Sequence, residues 1–404
     1  MRTPNVYISV FFCVFLSCQV KSQRLFLNEK GESEMLKMLE HDDCHVSFEG
    51  EEEMASFLKE MAAADKWENI PLNDFKLSVA SQMKRDAIKA PEHIKDRIIE
   101  DNGFVLNKYP MSAWAFPTLC DRALNNAKIL ARLSKDDTVK MLNMSWPYMK
   151  PYQGSSILIR GHQILAVHTD KYMHLPQGEL FSAFKSGLDE KFEAEYLEGY
   201  YDHELTSALY SVENKPGNPK ILEVYRDAWI KAGFPIQTLA EAKPSIRFVT
   251  ADNGRFCATA YSLLVQRGVV FNLGSVKVKH EAPSSINKYE ESIKECFSIL
   301  EVGLDALAKM MAIKVAYPVA ALVRIAKKTA LPKKAATEAI EMFKMTYIGD
   351  PVTAYELYYT LMECMNSEHI QGLRGESKLN LQESLARIIN LDWSEIDKPG
   401  SEDL

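Results

Sequence analysis

Three groups of residues carry types and spacings from which chemistry could be built. The first is His41-Asp42-Asp43-Cys44-His45. On a helix, His41 and His45 share a face with Cys44 beside them, which is the start of a metal-ligand set. No converging ligands recur elsewhere in the chain, so an exposed acidic helix end is the preferred reading and no metal is expected. The second group is His168-Thr169-Asp170-Lys171-Tyr172, followed by His174. If a strand continues through it, His168, Asp170 and Tyr172 lie on one side. An imidazole beside a carboxylate can serve general acid–base catalysis. The competing role is a structural turn in which Asp170 bonds the backbone and Tyr172 packs. An enzyme built here requires a cleft in which Asp170, His168 or His174 meets His203 or His280.

The third group is electrostatic. Between Asp305 and Glu338 there is no acidic residue, and the window holds Lys309, Lys314, Arg324, Lys327, Lys328, Lys333 and Lys334. Such a surface can neutralise phosphates along single- or double-stranded DNA. Lys277, Lys279 and His280 extend it if their strand packs beside these helices. Tyr317, Tyr347, Tyr355, Tyr358 and Tyr359 are candidates for stacking bases. Tyrosines at helical spacing serve equally as core, and a lysine run serves equally as a solvated face balanced by acids elsewhere.

Other chemistry is missing from the sequence. There is no Gly-rich phosphate loop, zincin helix, nucleophile elbow or paired-cysteine zinc pattern. No cofactor is therefore expected, and an enzyme is the less favoured class. The net charge of -7 argues against a protein that coats nucleic acid or membrane through bulk positive charge. The seven cysteines are scattered, and Cys13 and Cys18 lie in an apolar N-terminal stretch. The remaining five form no even-numbered disulfide framework and read as free thiols.

The elements that must position these groups are those of an α+β fold: a central antiparallel, hairpin-rich sheet with a helical C-terminal third. Residues 150–280 are strand-rich. Gly161-His162 separates two apolar runs and predicts a tight hairpin, because glycine accepts the positive φ of the first turn position. Asp252-Asn253-Gly254 predicts a second hairpin, and residues 269–273 a third strand. Residues 284–392 read as helical. From Ser285, apolar residues from Ile286 to Leu307 recur at spacings of three and four, the stripe of one long helix. Asp350-Pro351 reads as a helix start.

Four segments follow. Residues 1–23 resemble a signal peptide, with Arg2, an apolar core over residues 6–16 too short to span a membrane, and a cleavage site at Val20-Lys21-Ser22. On that reading the protein is exported, or is a lipoprotein processed at the lipoprotein-type site Phe15-Leu16-Ser17-Cys18, with an unknown binding role. The competing reading makes Met35 the start and the first 34 residues a misassigned upstream extension, because Lys30-Gly31-Glu32 can be encoded by a purine-rich stretch like a ribosome-binding site. It suits the unpaired thiols and a cytoplasmic protein of a bacterial host. Residues 24–68 read as an N-terminal helical arm, 69–392 as the main domain, and 393–404 as a disordered tail.

Several runs taken in order resemble one family. Met111-Ser112-Ala113-Trp114-Ala115 through Leu119-Cys120-Asp121-Arg122 is similar to a helix of the phage/plasmid-like proteins catalogued as domain of unknown function 932. Two strands and Thr169-Asp170-Lys171-Tyr172 follow, where that family carries a Ser-Asp-Arg-Tyr-like motif. Thr250-Ala251-Asp252-Asn253-Gly254 resembles its Ser-Asp-x-Gly turn, and Val278-Lys279-His280 its basic strand end. Thr169 and Lys171 depart from the pattern, and lysine lacks arginine's bidentate contact. The resemblance covers roughly residues 70 to 392. It implies a phage, plasmid or mobile-element setting and no established reaction. Nucleic-acid binding in recombination or replication would fit that setting.

Overall fold

The computed structural model describes residues 34–149, 154–329, 331–347, 351–364 and 375–403. The signal-like segment, the alternative upstream extension up to residue 33, and the Asp350 helix start lie outside the described residues. The fold is α+β, as its patterning predicts. One large sheet of six antiparallel strands runs in the order His45–Phe48, Phe192–Asp202, Thr206–Asn214, Lys243–Thr250, Ala258–Gln266, Val269–Val278. A smaller sheet places Asp65–Pro71, Gly154–Arg160 and Gln163–Thr169 side by side. Both expected hairpins form, with Gly161 at φ 59° and Gly254 at φ 74°.

Alternation decides the large sheet's two faces. Ile246, Phe248, Ala260 and Phe271 point into the main core, where the helix Ile286–Met310 lays down Tyr289, Ile293, Phe297, Leu300 and Leu304. Val249, Tyr261 and Leu263 face the other way into a smaller cluster with Leu379. Ser285 caps the long helix by accepting from the Lys288 N–H at 3.1 Å. The helices Pro318–Lys328, Lys333–Thr346, Ala354–Cys364 and Gly375–Ala386 complete the helical third.

Two boundary expectations need correction. Residues 24–68 are not an appended helical arm, as far as they are described. Strand His45–Phe48 pairs with the large sheet and strand Asp65–Pro71 with the small one. The helix between them, Glu51–Ala64, buries Met54, Phe57, Leu58 and Met61 in the main core. The charges of Asp65-Lys66-Trp67-Glu68 hid that strand, an edge strand that lends one partly buried apolar side chain to each face, Trp67 to one and Ile70 to the other. Residues 393–403 are likewise not a disordered tail. Trp393 and Ile396 are buried in the main core, and Asp397 accepts from the N–H groups of Ala316 and Tyr317 at 2.8 and 2.7 Å.

The strands Phe192–Asp202 and Thr206–Asn214 carry a β-bulge between Tyr196 and Glu198. The inward set is Phe192, Ala194 and Tyr196 before the bulge, then Gly199 and Tyr201 after it. A Cβ at 199 would sit 2.1 Å from the Tyr196 hydroxyl, so a larger residue there would have to displace the Tyr196 ring. Because Trp393 anchors the last described segment in the core, Trp393→Ala should cost about 3 kcal/mol of stability, as large-to-small core substitutions do. Urea denaturation checks this; a change near zero would mean that the segment adds nothing to the core.

Candidate functional site

The two sheets meet at one buried guanidinium. Arg160 ends the strand Gly154–Arg160 and is 3% exposed. Its Nε and Nη2 donate to the two carboxylate oxygens of Asp65 at 2.6 and 2.7 Å. Nη2 also donates to Asp252 Oδ2 at 2.6 Å, and Nη1 to the Tyr201 hydroxyl at 2.8 Å. Asp65 belongs to the small sheet, Tyr201 to the large one, and Asp252 to the turn of the large sheet's central hairpin. Gln177 joins by donating to Asp252 Oδ2 at 2.5 Å and accepting from the Thr206 hydroxyl. Burial works against the arginine charge, yet Asp65, Tyr201 and Asp252 hold its pKa well above the ordinary value. Burial pushes the Asp65 carboxyl upward, and Arg160 pulls against that shift.

The network continues to His203. Its Nε2 lies 2.9 Å from the His41 carbonyl, an acceptor, so that nitrogen carries the proton. Nδ1 then accepts from the Tyr201 hydroxyl at 3.0 Å. His41 precedes a turn and His45 opens a strand, so the two do not share a helical face. Cys44 is buried between them. His41 thus contributes a backbone carbonyl to this junction.

The histidine motif divides. His168 is buried and donates Nε2–H to the Asp252 carbonyl at 2.7 Å. Tyr172 lies between two imidazoles, 3.8 Å from the His168 ring and 5.1 Å from His280, with all three planes nearly parallel. Trp67 covers them, 5.6 Å from Tyr172 and 4.5 Å from His174. Asp170 does not join this cluster. It is exposed just past the strand end, where its N–H donates to the Gly154 carbonyl at 3.2 Å. Thr169 and Lys171 are exposed too. The aspartate beside the imidazoles is Asp252, a turn residue by its sequence: its backbone carbonyl accepts from His168 while its carboxylate faces Arg160 and Gln177. Nothing local in Asp-Asn-Gly marks burial; only the distant Arg160 accounts for it.

Burial keeps these imidazoles neutral. It lowers the pKa of His168 and of His203 to about 4 and lowers that of His280. Asp252, His168 and His280 are each at least nine-tenths buried, so a substrate would have to displace the Trp67 and Tyr172 cover to reach them.

The basic window also divides. Lys309 pairs with Asp305 at 2.6 Å. Lys314 is exposed on a two-residue strand. Arg324 turns away from solvent and donates to the carbonyls of Ile396 and Pro399, both at 2.7 Å, and of Lys398. Lys327, Lys328, Lys333 and Lys334 remain. They are exposed around the turn that joins helix Pro318–Lys328 to helix Lys333–Thr346. No ion pair involves any of the four among the described residues. The first turn of Lys333–Thr346 has no acid and no side-chain cap. Two lysines at the positive end of a helix dipole are electrostatically unfavourable and favour an anion there.

The expected extensions do not join this turn. Lys277 is neutralised by Glu383 at 2.6 Å, and His280 is buried under Tyr172. Tyr355 and Tyr358 are core, Tyr347 stacks on Phe343, and Tyr359 packs against Phe271. Tyr317 alone of the five is substantially exposed, at 46%. No protein-family model, curated protein or solved structure matches this chain. Among the described residues, no helix is long and apolar enough to cross a membrane.

Two predictions test the junction. Folded His168 and His203 titrate near pH 4, whereas an unfolded histidine titrates near 6.5. The unfolded chain therefore binds more protons as pH falls through 6.5, and stability should drop until about pH 4 and then level. Each histidine contributes about 3 kcal/mol to that loss at most. Urea midpoints between pH 7 and 4 measure it, and His168→Gln should flatten the slope. Second, Arg160→Met should destabilise by about 3–5 kcal/mol, because Asp65 and Asp252 lose their counter-ion. Adding Asp65→Asn and Asp252→Asn should recover most of that loss; no recovery would mean that shape, not charge, is what Arg160 supplies.

Proposed function

We propose that this chain is a non-enzymatic nucleic-acid-binding protein of a phage, plasmid or related mobile element, acting in recombination or replication. The lysine turn is the contact surface. The observation that carries the reading is the set of four exposed lysines, Lys327, Lys328, Lys333 and Lys334, on one helix–helix turn, with no ion-paired carboxylate among the described residues. A chain of net charge -7 has acids available to neutralise them, yet this turn is left open. Lys314 adds one further exposed cation within the same acid-free window.

The surrounding surface favours phosphates over bases. Four of the five candidate stacking tyrosines are packed against other side chains, so base stacking contributes little. Lysine is a point charge, suited to phosphate oxygens without reading sequence. Binding should therefore be salt-dependent and sequence-tolerant. The free thiols of Cys44, Cys120, Cys257, Cys296 and Cys364 support a reducing compartment, the cytoplasm of a bacterial host. A catalytic role for the imidazoles is the second reading, now centred on Asp252 and His168 with Asp170 outside it.

Fluorescence anisotropy with single- and double-stranded oligonucleotides tests the proposal. On duplex DNA, engagement of all four lysines predicts a log–log salt slope of about −3 to −4. Reversing Lys327, Lys328, Lys333 and Lys334 to glutamate should abolish most binding and flatten that slope, with an unchanged melting profile. Binding that survives the reversal would move the contact surface elsewhere, and no salt-dependent binding at all would end the proposal.

A further inference from the structure

The lysine turn has a neighbour of opposite sign. Residues 392–403 form a strap along helix Pro318–Lys328, held by groups that have no part in the turn's own chemistry. Trp393 and Ile396 are buried. Asp397 caps the start of the helix through the N–H groups of Ala316 and Tyr317. Arg324 grips the strap carbonyls of Ile396, Lys398 and Pro399. At Gly400 the strap lies directly on that guanidinium: a Cβ there would be 2.4 Å from Arg324 Nη2.

That anchor fixes where the strap's charges lie. Lys327 and Lys328 are three and four residues after Arg324, so they share its face of the helix. The strap carries Asp392, Glu395, Asp397, Glu402 and Asp403 against a single Lys398. Asp397 is committed to the helix cap, and Glu395 pairs with Lys398 at 2.9 Å. Asp392, Glu402 and Asp403 remain exposed. The ionised form of Asp392 is held mainly by hydrogen bonds from Ser394, with Lys398 and Lys328 contributing charge. Lys328 and the strap thus already feel each other.

We infer that the strap is a built-in electrostatic competitor of nucleic acid, its Asp392 carboxylate lowering the positive field of the lysine turn and setting how tightly phosphates bind there. This rests on the nucleic-acid reading above. Asp397 sits at the start of the helix, so the chain leading back from it to Asp392 runs toward the end that bears Lys327 and Lys328, and core packing holds Asp392 there while phosphate exchanges.

The test is the full chain carrying Asp392→Asn. Asparagine at 392 can still cap the following short helix. The comparison is the full chain with one exposed acid neutralised on the large sheet, Glu193→Gln. Both variants change net charge equally. The strap variant should bind a duplex oligonucleotide about three- to tenfold more tightly at low salt, with the gain shrinking as screening rises. The distant variant should bind as the unmodified chain does. Equal affinity of strap variant and unmodified chain would overturn the inference and leave the nucleic-acid reading standing. Equal tightening by both variants would overturn it too, since net charge alone would then be responsible. Absence of binding by every form, the strap variant included, would overturn both. Matching melting curves for the three proteins exclude misfolding as the cause of any difference.

Discussion

The fold depends on how one positive charge is accommodated without water. Arg160 cannot lose its proton, and at 3% exposure it cannot reach solvent. Every donor it presents must therefore meet an acceptor, and those acceptors come from separate stretches of chain. Asp65, Tyr201 and Asp252 lie 95, 41 and 92 residues away from it in sequence. The pairing of the two sheets, the position of the central hairpin turn and the seat of Gln177 all meet at this ion. A buried ion network of this kind adds little net stability beyond what apolar packing would give. Its effect is on uniqueness: few alternative packings satisfy one guanidinium and two carboxylates together.

The histidine cluster follows from that junction. Asp252 is drawn inward by Arg160, and its carbonyl then fixes His168. His168 supports Tyr172, and Tyr172 supports His280. Two buried imidazoles, His168 and His280, near the Asp252 carboxylate look like catalytic equipment. Their burial and neutrality fit equally well with a rigid wedge beneath Trp67. The accessible chemistry of the molecule is the opposite in kind: flexible, hydrated lysines on a helix turn, balanced by a strap of carboxylates.

Much of the fold was legible because local patterning carries it. The hairpins at Gly161 and Gly254 announce themselves through glycine flanked by apolar runs, and the helix Ile286–Met310 through its stripe and its serine cap. What was missed required non-local knowledge. The strand Asp65–Pro71 looks polar because only one partner strand needs it. The alternation of Phe192–Asp202 is interrupted by a bulge, which shifts its inward set by one position. The candidate site divided on the same principle. Exposed lysines could be found by counting charges, since exposure needs no partner. Asp252 could not be told from any other turn aspartate, because its burial is decided by an arginine 92 residues away. Asp170 was chosen over it for its sequence neighbours, and those neighbours point elsewhere.

Arg324 grips the strap through carbonyl oxygens of the main chain and no side chain. Every residue type offers that same oxygen. Except at Gly400, where the backbone lies flat on the guanidinium, the grip places no demand on the identity of the residues it holds. Apart from Asp397, whose carboxylate is itself an anchor, mutation can therefore change the charges along the strap one residue at a time without releasing it. Evolution is free to tune the field over the lysine turn, strengthening or weakening it, while the anchoring geometry remains constant.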